Sequence, residues 1–414
     1  MKLNATYIKI RDKWWGLPLF LPSLILPIFA HINTFAHISS GEVFLFYLPL
    51  ALMISMMMFF SWAALPGIAL GIFVRKYAEL GFYETLSLTA NFIIIIILCW
   101  GGYRVFTPRR NNVSHGDSRL ISQRLFWQIV FPATLFLILF QFAAFVGLLA
   151  SRENLVGVMP FNLGTLINYQ ALLVGNLIGV PLCYFIIRVV RNPFYLRSYY
   201  SQLKQQVDAK VTKKEFAIWL LALGALLLLL CMPLNEKSTI FSTNYTLSLL
   251  LPLMMWGAMR YGYKLISLLW AVVLMISIHS YQNYIPIYPG YTTQLTITSS
   301  SYLVFSFIVN YMAVLATRQR AVVRRIQRLA YVDPVVHLPN VRALNRALRD
   351  APWSALCYLH IPGMEMLVKN YGIMLRIQYK QKLSHWLSPL LEPGEDVYQL
   401  SGNDLALRLN TESH

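Results

Sequence analysis

The sequence predicts an all-α polytopic membrane domain of about ten transmembrane helices, followed by an incomplete α/β domain. Three observations carry this reading. Of 414 residues, 57% are hydrophobic and 13% are charged, roughly half the charged share of a soluble domain. Apolar runs near 20 residues, the length that crosses a bilayer as helix, recur from Trp15 almost to Thr317. After Arg318 the composition changes to charged helix and short alternating strands.

The spans are expected to begin near Trp15, Val43, Ser61, Glu84, Trp127, Leu166, Phe216, Thr246, Tyr263 and Tyr302. The first run contains Pro18, Pro22 and Pro27, has no small-x-small cleavage site and is followed by further spans, so it does not read as a cleaved signal peptide. Tyr47–Val74 is free of charge and long enough to divide at Trp62–Gly67 into two spans, the second short. Charge placement supports the division. With an internal amino terminus, eighteen Lys and Arg residues, among them Arg11, Arg104, Arg188 and Lys264, fall in cytoplasmic segments, against four outside: Arg75, Lys76, Arg152 and Lys237. Cytoplasmic loops carry such an excess. The chain therefore reads as a multi-pass membrane protein with both termini cytoplasmic. The basic runs suit anionic lipid headgroups, and no nucleic-acid partner is expected.

Span interiors hold few ionisable residues, which argues against the alternative of a multi-span transporter or permease with a short tail. Gln141, Asn168, Gln170, Asn176 and His279 are the polar exceptions, and each first reads as an interhelical bond or an anchor. Asn168, Tyr169, Gln170 and Asn176 crowd one segment and are the candidate ligand-facing residues for a sensory ligand of unknown identity. Cys99, Cys183, Cys231 and Cys357 have no disulfide or metal-site spacing, and no cofactor is expected in this chain.

Leu249–Ile278 places an apolar run, Pro252, Trp256, Arg260-Tyr261-Gly262 and a second apolar run in order. This resembles the membrane-associated sensor family, type one, of bacterial signalling proteins. Asn168–Leu182 fits the same family's mid-domain span. The resemblance covers roughly Leu17–Thr317 and implies a sensor domain over residues 1–317.

Residues 318–330 read as a signalling linker helix, without Gly or Pro. Leu315, Val322, Ile326 and Leu329 follow heptad-like spacing, with Gln319 between them. A homodimer formed through this helix and a simple membrane-proximal helix both fit.

Residues 331–414 carry a second resemblance. Asp333-Pro334, Leu338-Pro339-Asn340 and Arg342 lead into a helix, strand Ala355–Ile361 follows, then helix from about Met364 to Leu387, then a hairpin around Ser401, Gly402, Asn403, Asp404 and Leu405. This order is similar to the GGDEF domain, whose cyclases join two GTP molecules with divalent metal held by carboxylates. The resemblance puts His360 and Pro362 at the family's strand-end Asp positions, and Ser401, Asn403 and Asp404 at signature positions. It also puts Val368 and Ile377 at guanine-reading positions, and Glu392 and Glu395 at the product site. It therefore implies a degenerate domain with no catalytic, cofactor-binding or metal residue.

The whole order resembles cyclic-di-GMP phosphodiesterases of sensor, degenerate GGDEF and EAL architecture. No EAL domain occurs in this sequence, and Mg is expected only with that domain. A short sheet remnant is expected to leave apolar faces uncovered.

Overall fold

The computed structural model describes residues 11, 13–39, 41–107, 121–147, 162–232, 245–285, 290–351, 353–360 and 362–410. The chain divides into two compact units, Met1–Arg318 and Gln319–His414. The expected charges at Lys2, Lys9, Arg109, Arg110, Arg119, Arg152 and Lys237 lie outside the described residues.

The first unit is mostly helical. Helix α1 (Leu17–Ile32) leads into an antiparallel hairpin, β1 (Thr34–Ile38) and β2 (Gly41–Phe46). Pro49 then opens α2 (Pro49–Phe60), a position where its missing N–H costs no helical bond. Ser61, with φ of 54°, breaks the helix before a short 3₁₀ turn, and α3 (Leu65–Leu80) continues the chain. Then come α4 (Phe82–Phe106), a π-helical segment Leu125–Val130 running into α5 (Phe131–Phe145), and α6 (Leu163–Arg191). The amphipathic α7 (Tyr195–Gln206) precedes α8 (Lys213–Cys231), whose first turn is capped by the Thr212 hydroxyl accepting from Glu215 N. Helices α9 (Tyr245–Tyr261) and α10 (Tyr263–His279) follow, and α11 (Tyr291–Tyr331) begins in this unit and continues past Arg318.

Six helical runs among the described residues are long and apolar enough to cross a membrane, with Pro49–Leu80 counting as one. Leu17–Ile32 and Tyr263–His279 are apolar but shorter. By that length and composition six runs stand against the ten spans expected. The span expected from Val43 starts instead as strand β2, because Phe35, Ala36 and His37 of β1 pair with Phe44, Val43 and Glu42. The segments divided at Trp62–Gly67 are two helices joined at Ser61–Ala64: α2 runs from the hairpin end to Ser61 beside Arg104, and α3 returns alongside α1, so that Arg75 and Lys76 come back near Pro49.

Close helix contact comes from small residues. A Cβ on Gly67 would stand 2.6 Å from the Leu19 carbonyl oxygen, and one on Gly71 3.1 Å from a Leu26 methyl. Glycine four residues apart thus lets α3 rest on the backbone of α1, as small residues do between membrane helices.

Cationic side chains gather at the end of the first unit opposite the hairpin. There the Arg11 Nη1 donates to Arg191 O at 2.5 Å, Arg104 Nη2 to Ser61 Oγ at 2.9 Å, and Tyr199 OH to Lys264 O at 2.8 Å. Tyr263 N donates to Thr317 Oγ1 at 2.9 Å, so α11 leaves the unit at this end. At the hairpin end, Tyr281 OH donates to Phe35 O at 3.2 Å.

In the second unit, α12 (Val341–Asp350) is capped by Asn340 Oδ1, which accepts from Arg342 N and Ala343 N at 3.0 and 3.1 Å. Strand β3 (Ser354–Leu359), helices α13 (Met364–Tyr371) and α14 (Ile373–Leu387), and strands β4 (Asp396–Gln399) and β5 (Leu405–Asn410) follow. The helix expected from Met364 to Leu387 is two, because Gly372 adopts φ of 83° and ends α13. The sheet order is β3-β5-β4, antiparallel throughout. Val336, Leu338, Val397, Leu405 and Leu407 form its core, while Leu356 and Tyr358 of β3 are more than half exposed.

Candidate functional site

The hairpin turn Ser401–Asp404 is held from three directions. Gly402 takes φ of 73°. The Lys380 side chain on α14 is 1% exposed, and its Nζ donates to Gly402 O at 2.8 Å. Asp404 Oδ2 accepts from Tyr358 OH at 2.6 Å, and Asp404 Oδ1 lies 2.8 Å from His360 Nδ1. The Tyr358 hydroxyl, then the His360 ring, hold the Asp404 carboxyl below the usual carboxylate range. Both oxygens of the turn's carboxylate are therefore engaged by side chains of the neighbouring strand end.

A divalent cation such as Mg²⁺ requires several oxygen ligands in near-octahedral array. The imidazole of His360 stands at the strand end, Pro362 offers no side-chain donor, and Asn403 carries an amide, not a carboxylate. These residues do not fit such an ion. Among the described residues, no group of three or more His, Cys, Asp or Glu could hold a metal. Glu395 is structural as well: its Oε2 accepts from Glu392 N at 3.0 Å and its Oε1 from Asn410 N at 2.8 Å. Ile377 packs against the sheet core.

The four polar residues expected to face a ligand lie on α6, and each makes a hydrogen bond within the fold, while Gln170 Oε1 and Asn176 Oδ1 are buried without a partner. Asn168 Oδ1 accepts from Phe44 N at 2.7 Å, fixing the hairpin on α6. Tyr169 OH lies 3.1 Å from Thr134 Oγ1. Gln170 Nε2 donates to Ser300 Oγ at 2.7 Å, and Asn176 Nδ2 to Ile129 O at 3.4 Å.

A cavity of about 430 Å³ opens instead beside the hairpin. Leu26, Met53, Ile72, Leu88, Phe92 and Phe140 supply apolar lining, and Phe35, Phe44 and Tyr47 add aromatic surface. Its titratable lining residues include His37 and Glu42 from the hairpin and Arg75 and Lys76 from α3. His37 Nδ1 lies 3.3 Å from Glu42 Oε1, Lys76 Nζ donates to Glu79 Oε2 at 2.9 Å, and Arg75 Nη1 donates to Glu79 Oε1. Arg75 Nε is buried without a hydrogen-bond partner. None of Asn168, Tyr169, Gln170 and Asn176 lines this cavity.

The model of the family MASE1 matches residues 15–320, most of the chain. The chain belongs to the MASE1 family. Cavity, hairpin and α6 all lie within the MASE1 region. The chain is 99% identical, over 414 residues, to the cyclic di-GMP phosphodiesterase PdeF of Escherichia coli (strain K12), covering all of this chain and 55% of that relative. It is 26% identical over 408 residues to the probable cyclic di-GMP phosphodiesterase PdeA of the same organism, covering 96% of this chain and 54% of that relative. The chain thus spans about half the length of the curated relatives it matches. No solved structure matches it. It is a membrane-bound MASE1 protein similar to cyclic di-GMP signalling enzymes.

Sequence reasoning missed the MASE1 cavity, although it left one trace. Arg75 and Lys76 stand out as two of the few cations on the cation-poor side of the charge pattern, and both line the cavity.

Proposed function

We propose that this chain is the sensory and regulatory portion of a cyclic-di-GMP signalling protein. The MASE1 match together with two relatives named as cyclic di-GMP phosphodiesterases, each about twice as long, carries this reading. Residues 1–317 form the sensor, 318–330 a signalling helix, and 331–414 a GGDEF-like domain without cyclase activity. The strand, helix and hairpin order supports the last assignment, and the engaged Asp404 with His360 beside it supports the loss of metal chemistry. Hydrolysis of cyclic di-GMP, with Mg, belongs in this reading to an EAL domain of the longer protein.

The cationic end of the first unit faces the cytoplasm and anionic lipid of the inner membrane, which puts the cavity on the far side. Leu315, Val322, Ile326 and Leu329 are all exposed along α11, in keeping with a second copy pairing through this helix.

The test compares the longer phosphodiesterase with a version lacking the segment equivalent to residues 1–317, both in membranes. We expect the deletion to change the rate of cyclic di-GMP hydrolysis. The present chain, given GTP with magnesium or manganese, should form no cyclic di-GMP above a protein-free control. An unchanged hydrolysis rate would remove the regulatory role, and clear cyclase turnover would overturn the assignment of the turn.

A further inference from the structure

We propose that the cavity beside the hairpin binds an amphiphile with one acidic head on an apolar body, its head seated at Arg75. This deepens the sensory reading above by giving the sensor a ligand class.

The cavity's volume of about 430 Å³ lies within the range of roughly 300–1,000 Å³ typical of small-molecule sites. Its lining is mainly aliphatic and aromatic. A compact polar solute would lose its water there without compensation, whereas an apolar body would gain from leaving water. The head is specified by charge. Arg75 and Lys76 bring two cations to the lining, and the one carboxylate among the lining residues, Glu42, faces His37.

Arg75 supplies the sharper observation. One guanidinium nitrogen donates to Glu79, but the buried Nε has no acceptor in the fold. A buried donor left unsatisfied is costly, and an acceptor supplied by a ligand removes the cost. A carboxylate oxygen is well suited, because hydrogen bonds to ionised groups are the stronger ones. Glu79 beside the same guanidinium disfavours a second negative charge, so the head is a monoanion. The acidic amphiphile can arrive as a free single-chain acid or as an anionic lipid from the bilayer. The shared chemistry is an acidic head above an apolar body.

The full chain in phosphatidylcholine nanodiscs is titrated calorimetrically with decanoate, decanol and decyltrimethylammonium. Decanoate should bind saturably and at least about tenfold more tightly than decanol, and decyltrimethylammonium more weakly than both. Arg75→Gln should reduce decanoate to the level of decanol while leaving decanol binding intact, which also reports that the variant is folded. Arg75→Lys should keep part of the preference. Met53→Trp, which enlarges a lining side chain and fills part of the cavity, should weaken decanoate and decanol together, and stands in if Arg75→Gln fails to fold. Phosphatidylglycerol added to the nanodiscs should lower decanoate affinity several-fold if the bilayer is the source, and leave it unchanged if the ligand is a free acid. Equal binding of the three probes, a decanoate preference that survives Arg75→Gln, or no saturable binding would overturn the proposal. No cyclic di-GMP is read in this assay, so its failure is distinct from failure of the regulatory reading.

Discussion

The Lys380 amine donates to the carbonyl of Gly402 at 2.8 Å from a side chain that is 1% exposed. Two opposing effects meet there. Burial disfavours the ammonium and lowers its pKa, while its hydrogen bond to the turn is worth about 1.5–3 kcal/mol. Lys380→Met removes both, so the net change in global stability should stay within about 1 kcal/mol. The turn itself loses its brace. Hydrogen exchange at residues 402–404 should accelerate by at least about threefold in the full chain, as local opening costs less. Exchange unchanged from wild type would show that Lys380 does not hold the turn.

Acid should loosen the same turn. The Tyr358 hydroxyl, then His360, with Lys380 nearby, favour the ionised form of Asp404 and lower its pKa in the fold. A carboxyl lowered on folding contributes stability that is fully present above its unfolded value, near 3.8, and that is lost as pH falls through the folded value. Exchange at residues 402–404, corrected for intrinsic rate, should rise between pH 5 and pH 3, and Asp404→Asn should remove that dependence. A flat profile in the wild-type chain would contradict the account.

Asn168 carries the hairpin. Its side-chain oxygen accepts from the buried Phe44 N–H at 2.7 Å, and Asn168→Ala leaves that donor without an acceptor. A loss of about 1–3 kcal/mol follows, read as a lower unfolding midpoint of the full chain in detergent. An unaltered midpoint would mean that the hairpin is held by its other contacts.

Orientation is open to direct measurement. Reporter fusions after Arg110, Lys204 and Arg328 should report cytoplasm, whereas fusions in the hairpin turn at residues 38–41 and in residues 236–244 should report the far side. A cytoplasmic signal from the hairpin turn would invert the topology and bring the cavity to the cytoplasmic face.

Much of this architecture was legible in the sequence where the cause is local. Leu338-Pro339-Asn340 reads as leading into a helix, and Asn340 caps α12; the hairpin expected around Ser401–Leu405 joins β4 to β5. The hairpin β1–β2 was not legible. Its apolar residues Val43–Phe46 run directly into a helix, and what makes them a strand is pairing with β1 and a bond from Asn168, 124 residues away. Spacing along the chain contains neither partner. The cavity failed for the same reason, since Arg75, Phe35 and Phe140 converge only through packing. Asn168, Tyr169, Gln170 and Asn176 stood out as polar residues in apolar surroundings, but polarity alone does not separate a group that meets a ligand from one that meets a neighbouring helix.

The seam at Gly67 and Gly71 bears on how such a membrane body can move. Side chains packed between two helices act as a cushion that can change rotamer and let one helix slide past the other. Here backbone lies on backbone, with a would-be Cβ of Gly67 only 2.6 Å from the Leu19 carbonyl. Helices α1 and α3 thus form a stiff plate, and both contribute wall to the cavity through Leu26, Ile72 and Arg75. A wedge entering there cannot part these two helices without breaking the seam. It must tilt the plate as one piece, or displace the opposite wall of Met53, Phe92 and Phe140.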